Sequence, residues 1–111
     1  MKDIQEDLIS LLSTIDNLKA YNRAPLDFTQ DENIAIVYEL DNIPHTFTDG
    51  VEYTSTIIYN IDLYCKNAET HIYRNLIDEK LNDYGMVRIA GGRDSKVDNL
   101  YYRALSYKIN L

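Results

Sequence analysis

His45, His71 and Cys65 are the side chains of this 111-residue chain best suited to nucleophilic or metal chemistry. A cysteine nucleophile needs a neighbouring base and an electropositive setting that favours the thiolate. A structural metal site needs about four clustered ligands. Here the two histidines are far apart, His45 in a predicted loop and His71 on a predicted helix. Cys65 falls on the apolar face of a predicted strand, where cysteine acts as a small buried hydrophobe. Asp27, Asp31 and Glu32 lie close together, but catalytic carboxylates need a pocket that separates their pKa values, and these three read as solvated loop residues. Gly91-Gly92-Arg93-Asp94-Ser95 has the composition of a phosphate loop. Phosphate loops join a strand to a helix N-terminus, whereas this segment joins two predicted strands and reads as a hairpin turn. An enzyme is therefore not expected, and no catalytic residue, cofactor or metal site is assigned. A pocket uniting His71, Cys65 and a carboxylate would reverse that reading.

Positioning of any surface falls to a short series of elements. Ile4, Leu8, Leu11, Leu12 and Ile15 recur at helical spacing, which predicts an amphipathic helix over 3–18, with Asp3 as N-cap and Glu6 completing a capping box. Residues 24–33 read as a loop, and Ile34 to Leu40 as a β-branched strand ended by Asp41-Asn42-Ile43-Pro44. From Val51 to Cys65 the pattern alternates, Ile57, Tyr59, Ile61, Leu63 and Cys65 against Ile58, Asn60, Asp62 and Tyr64. That is a half-buried strand, and its polar first part, 51–56, projects beyond the core. A second helix is predicted over 68–83 with Ala68, Ile72, Tyr73, Leu76, Ile77 and Leu81 as its stripe, Asn67 as N-cap and Gly85 near its C-cap. Met86 to Ala90 is a short strand. Leu100 to Leu111 is the last, with Tyr101, Leu105, Tyr107 and Ile109 on one face. The expectation is a single α+β domain over 1–111. It has a mostly antiparallel sheet of about four strands, both helices on one face, and a projecting hairpin arm at 42–56.

A lone cysteine rules out an intrachain disulfide and suits a reducing compartment. The N-terminal residues lack the apolar region of a signal peptide, and no stretch approaches the ~18 apolar residues of a membrane span, so a cytosolic, non-membrane protein is expected. Net charge is −7, unevenly spread: residues 1–65 hold 12 acids and 3 bases, −9, and residues 66–111 hold 6 acids and 8 bases, +2. Such a chain does not grip phosphate backbones, but it can repel or mimic DNA, and its asymmetry permits head-to-tail contact between copies.

Tyrosine is the outstanding residue type, with 10 copies and no tryptophan. Tyrosine packs while keeping its hydroxyl wet and is enriched at interfaces; it also serves simply to cover a sheet. Tyr64 and Tyr102 fall on the faces of their strands opposite the core, and Tyr53 lies in the arm. The candidate interface comprises Tyr53, Thr54, Tyr64 and Tyr102 with His45, Phe47, Asp49 and Glu52.

The succession of an N-terminal amphipathic helix, the strand Ile34 to Leu40, the long strand ending Ile58-Tyr59-Asn60-Ile61-Asp62-Leu63-Tyr64-Cys65, a helix, Gly85-Met86-Val87-Arg88 and Tyr101 to Tyr107 resembles the tail-completion proteins of long-tailed bacteriophages. These are also described as tail-terminator or head–tail joining proteins. The resemblance covers nearly the whole chain by pattern. It implies a homo-oligomeric, commonly hexameric, ring in the virion neck that contacts the tail tube protein and a head-completion protein. DNA would pass through that ring without specific binding. It also implies assembly in the bacterial host cytoplasm and carries no catalytic residues. The alternatives are a small acidic DNA mimic and a protein-binding module of phage origin.

Overall fold

The computed structural model describes residues 4–22, 33–46, 53–67, 69–97 and 100–110. In chain order the elements are α1 (Gln5–Leu12), β1 (Leu18–Tyr21), β2 (Asn33–Thr46), β3 (Tyr53–Cys65), α2 (Thr70–Tyr84), β4 (Val87–Ala90), β5 (Ser95–Val97) and β6 (Leu100–Asn110). The class is α+β. Its sheet has six strands rather than about four, in the order β1-β2-β3-β6-β4 with β5 also on β6. It is mixed: β1 runs parallel to β2, and the other pairs are antiparallel.

Alternation along β3 builds the core. Ile57, Tyr59, Ile61, Leu63 and Cys65 are all buried, and they meet Ala35 and Val37 of β2 and Leu105, Tyr107 and Ile109 of β6 in one cluster. Leu8 and Leu12 of α1 and Tyr73, Ile77 and Leu81 of α2 close over that same cluster. Burying a side chain of this size stabilises by about 1.5–3 kcal/mol, so this face holds the layers together.

Helix α1 is shorter than its apolar spacing predicts. It ends at Leu12, where the Ser13 and Thr14 hydroxyls donate to the carbonyls of Ile9 and Leu11 at 2.8 and 2.7 Å. Asn17 then adopts φ 64, a left-handed conformation that asparagine tolerates better than most residues. The chain continues as β1, a strand the sequence reading does not contain and of which only Leu18 falls within the predicted helix. Ile15 and Leu18 are still buried, at 5% and 4% exposure. The periodicity reported burial correctly and the element wrongly. Ile4 occupies the N-cap position without a side-chain cap, and the predicted cap Asp3 lies outside the described residues.

Four further expectations are corrected. First, Asp41 to Pro44 do not end β2, which continues to Thr46. The disturbance there is only a bulge between Glu39 and Asp41. Second, the N-cap of α2 is Glu69, not Asn67. Third, Ile72 and Leu76 leave its buried stripe, at 45% and 39% exposure, while Ala68 lies outside the described residues. Gly85 does end that helix, at φ 108, with Gly85 N–H donating to Asn82 and Met86 N–H to Leu81, the paired bonds of a Schellman motif. Fourth, Gly91 to Asp94 do not turn a hairpin. The strands on either side of this segment, β4 and β5, both pair with β6 along one edge, so it interrupts an edge strand. Gly92, at φ 61, lies so close to β6 that an added Cβ would stand 2.5 Å from the Ala104 carbonyl oxygen.

Arg103 holds that interruption in place. It is 9% exposed, on the helix-covered face of β6. Its Nε donates to Thr70 Oγ1 at 3.1 Å, and its Nη1 donates to the Gly91 and Gly92 carbonyls at 3.2 Å each. Its Nη2 lies 3.4 Å from Asp94 Oδ1, which also accepts from the Thr70 hydroxyl. One guanidinium thereby ties the broken edge strand to the start of α2. Arg103→Ala strands these acceptors in a partly buried site, which costs about 1–3 kcal/mol per unsatisfied group. Because Asp94 is half in water, the net expectation is a loss of about 2–3 kcal/mol, read as a lower urea midpoint with an unchanged m-value.

Candidate interaction face

The sheet face away from the helices carries alternate residues of the same three long strands. Reading across the register, Ile34, Tyr64 and Tyr102 form one row, Ile36, Asp62 and Ala104 the next, and Tyr38, Asn60 and Ser106 the third. Asp62 is therefore central, on the middle strand. Its direct neighbours across the sheet are an isoleucine and an alanine.

A hydrogen-bond network fills this face. Asp62 Oδ1 accepts from Tyr102 Oη and from Asn60 Nδ2, each at 2.8 Å. Asn60 Nδ2 also donates to Tyr38 Oη at 2.9 Å, and Asn60 Oδ1 accepts from Ser106 Oγ at 3.2 Å. Asn60 is 6% exposed, so these bonds offset the desolvation of its amide. The rings of Tyr64 and Tyr102 sit 5.0 Å apart at 41°, within the range of favourable aromatic pairs. Burial and then the Asp62 charge raise the hydroxyl pKa values of Tyr38 and Tyr64. Burial, the bond to Asp62 and its charge raise that of Tyr102 further.

Two of the interface candidates meet here, Tyr64 and Tyr102. His45, Tyr53 and Thr54 do not join them: His45 pairs with Thr54 and Thr46 with Tyr53 at the far end of the β2–β3 hairpin. Tyr53 and Tyr64 lie at opposite ends of β3, about 35 Å apart at the usual strand rise. The side chains of His45, Tyr53 and Thr54 lie outside the described part of the structure, as do residues Phe47, Asp49 and Glu52. Tyr38, Asn60, Asp62 and Ser106 were not among the candidates. Their signal was present in the polar pair Asn60 and Asp62, two residues apart within the otherwise apolar stretch from Ile57 to Cys65.

The thiol and the histidine do not form a site. Cys65 is fully buried, and burial first, then Glu69 and Asp94, pushes its thiol pKa up to about 12. His71 is exposed on α2. Among the described residues no three of histidine, cysteine, aspartate and glutamate gather as a metal site, and no helix is long and apolar enough to cross a membrane. A broad cleft of about 910 Å³ opens between the turn after α1, β1 and the segment before α2. Its lining mixes Lys19 and Lys66 with Asp16 and Glu69. Neither a protein-family model nor a curated protein matches the chain.

The tyrosine shifts set a pH dependence. Tyr107, buried and donating to Asp78 Oδ1 at 2.5 Å, has a pKa raised well above 10.0, chiefly by burial. Tyr38, Tyr64, Tyr73, Tyr84 and Tyr102 are raised as well. A raised tyrosine pKa means the folded state holds its proton longer than the unfolded chain. The contribution is complete below about pH 10 and is lost as pH rises above it. Urea midpoints should therefore fall from about pH 10 upward, and Tyr107→Phe should fall less steeply over that range. Cys65 should resist a disulfide reagent at neutral pH in the native protein and react at once in denaturant.

Proposed function

We propose that this chain is a structural subunit of a bacteriophage virion, one of the copies in a ring that closes the tail tube and joins it to the head. DNA passes through that ring without specific binding. The ring is hexameric. It contacts the tail tube protein and a head-completion protein, and it assembles in the bacterial cytoplasm. The reading rests first on the resemblance of the element succession to tail-completion proteins.

The observation that carries it furthest is the β2–β3 hairpin. Pairing of β3 with β6 stops at Thr56↔Asn110, while β2 and β3 stay paired to Thr46↔Tyr53. The molecule measures 53 Å along its longest axis and 24 and 23 Å across. A two-stranded arm beyond the three-stranded core suits contact with a neighbouring copy. Head-to-tail contacts close into a ring when the rotation between copies permits. The −9 and +2 halves of the chain favour that polarity of contact, and net negative charge favours a lining along which DNA slides.

Light scattering over a wide concentration range tests the reading. One chain is 12.9 kDa, so six give 6 × 12.9 = 77.4 kDa. A species at that mass, alone or on addition of tail tubes, is the expected result. Replacing residues 45–54 by an Asn-Gly turn, which suits a two-residue hairpin, should keep the fold and abolish head–tail joining. Normal joining by that variant would sink the proposal.

A further inference from the structure

The two borders of the sheet carry exposed apolar residues in opposite electrostatic settings. β1 covers β2 only from Asn33 to Ile36. Beyond that point Leu40 and Ile43 are 56% and 42% exposed, beside the exposed acids Glu39 and Asp41. At the other border all four residues of β4 are exposed, with Val87 at 54% and Ile89 at 47%. The neighbouring charges there are mainly basic. Lys108 lies next to Val87 on β6, Arg93 follows in the segment that leads to β5, and both are exposed. Arg88 bonds Asp78 through its Nε, which leaves the two Nη groups of the guanidinium for another acceptor. The other acid on this side, Asp94, is bridged to Arg103.

Single exposed apolar side chains are ordinary on a protein surface. Here they gather at two places that complement each other. Of the six large apolar residues exposed among the described ones, four lie on these borders and two, Ile72 and Leu76, on α2. Charge then selects which borders can meet. Two β2 borders would set Glu39 and Asp41 against their own kind, and two β4 borders would do the same with Arg88 and Lys108. A β2 border against a β4 border brings opposite charges together and removes apolar surface from water on both sides. The contact runs through side chains. Bulges at Glu39–Asp41 and Arg88–Ala90 break the backbone ladder on both borders.

We infer that the β2 border, at Leu40 and Ile43 with their flanking acids, is the docking surface for the β4 border of a second copy of this chain, which brings Val87, Ile89 and their neighbouring bases. This border contact rests on the ring reading and names the surfaces that repeat around the ring. It is a head-to-tail contact, the kind that closes when the rotation between copies permits. β1 lies outside β2 at Asn33–Ile36, and β5 lies outside β6 at Leu100–Tyr102, at the same end of the sheet. Two copies side by side therefore clear each other when β4 sits toward the arm, near Ile43 rather than Ile36.

Cysteine cross-linking tests the pairing of borders. Cys65 is fully buried, so Ile43→Cys and Ile89→Cys each present one accessible thiol. The full-length variants are treated with a short bis-maleimide over a wide concentration range, alone and with tail tubes. An equal mixture of the two should give a cross-linked dimer on a denaturing gel. Each variant alone should stay a single chain, and the double variant should give a ladder of linked copies. Adding Glu39→Lys and Asp41→Lys to Ile43→Cys should cut the yield of the mixture at least about fivefold. Circular dichroism confirms that each variant is folded. Cross-linking within either single variant would overturn the inference, because it marks like borders meeting. So would an undiminished yield after the charge reversal. A species at 6 × 12.9 = 77.4 kDa without cross-links in the mixture would overturn the border contact and leave the ring standing. A lone chain under every condition would overturn both.

Discussion

The two-faced character of β3 is the constraint on which the rest of the molecule depends. It is paired along most of its length on both sides, with β2 and with β6. Its odd-numbered residues from Ile57 to Cys65 are apolar and buried under the helices. Its even-numbered residues from Asn60 to Tyr64 hold a polar network on the other face. A slip of one residue would exchange these sets, placing Asp62 in the core and Leu63 in water. The same alternation therefore fixes the register, the position of the helices and the content of the face away from them.

A second level of order comes from polar groups that link elements across the core. Arg103 gathers Thr70, Gly91, Gly92 and Asp94. Asp78 receives both the Tyr107 hydroxyl and Arg88, and Tyr84 reaches from α2 to Asp7 of α1 at 2.8 Å. Gln5 Nε2 donates to the Val37 carbonyl at 2.7 Å, just past the last β2 residue that β1 covers. Apolar burial is indifferent to direction, whereas each of these bonds is satisfied in only one arrangement. Together they specify how the helices lie on the sheet.

The parts of this architecture legible in the sequence were those written in short-range patterns. The alternation of β3 and β6, the length of α2, the Schellman glycine Gly85 and the burial of Cys65 follow from spacing and residue type alone. The missed strand β1 has an instructive cause. Ile15 and Leu18 continue the apolar spacing of α1, yet Ser13, Thr14 and Asn17 favour leaving the helix through local side-chain bonds and a left-handed turn. A periodicity count cannot weigh that competition. The break at Gly91 to Asp94 reads as a turn in sequence because the group that holds it, Arg103, comes from another strand, 12 residues from Gly91 and 11 from Gly92. Tyr64 and Tyr102 were placed on the correct face, but the identity of Asp62 as their centre needed the cross-strand register, which no single strand contains.

Both long borders of the sheet are irregular. The outer side of β2 beyond Ile36 carries a bulge at Glu39–Asp41 and then Pro44, which has no N–H to offer. On the other side, β4 is bulged between Arg88 and Ala90 and separated from β5 by Gly91 to Asp94. Among the described residues, a foreign strand, or a second copy of this one, would find no long uninterrupted row of donors and acceptors to match. Such interruptions are how β proteins avoid templating fibres. For a chain that carries exposed Leu40, Ile43, Val87 and Ile89 along those borders, they work against open-ended edge-to-edge growth.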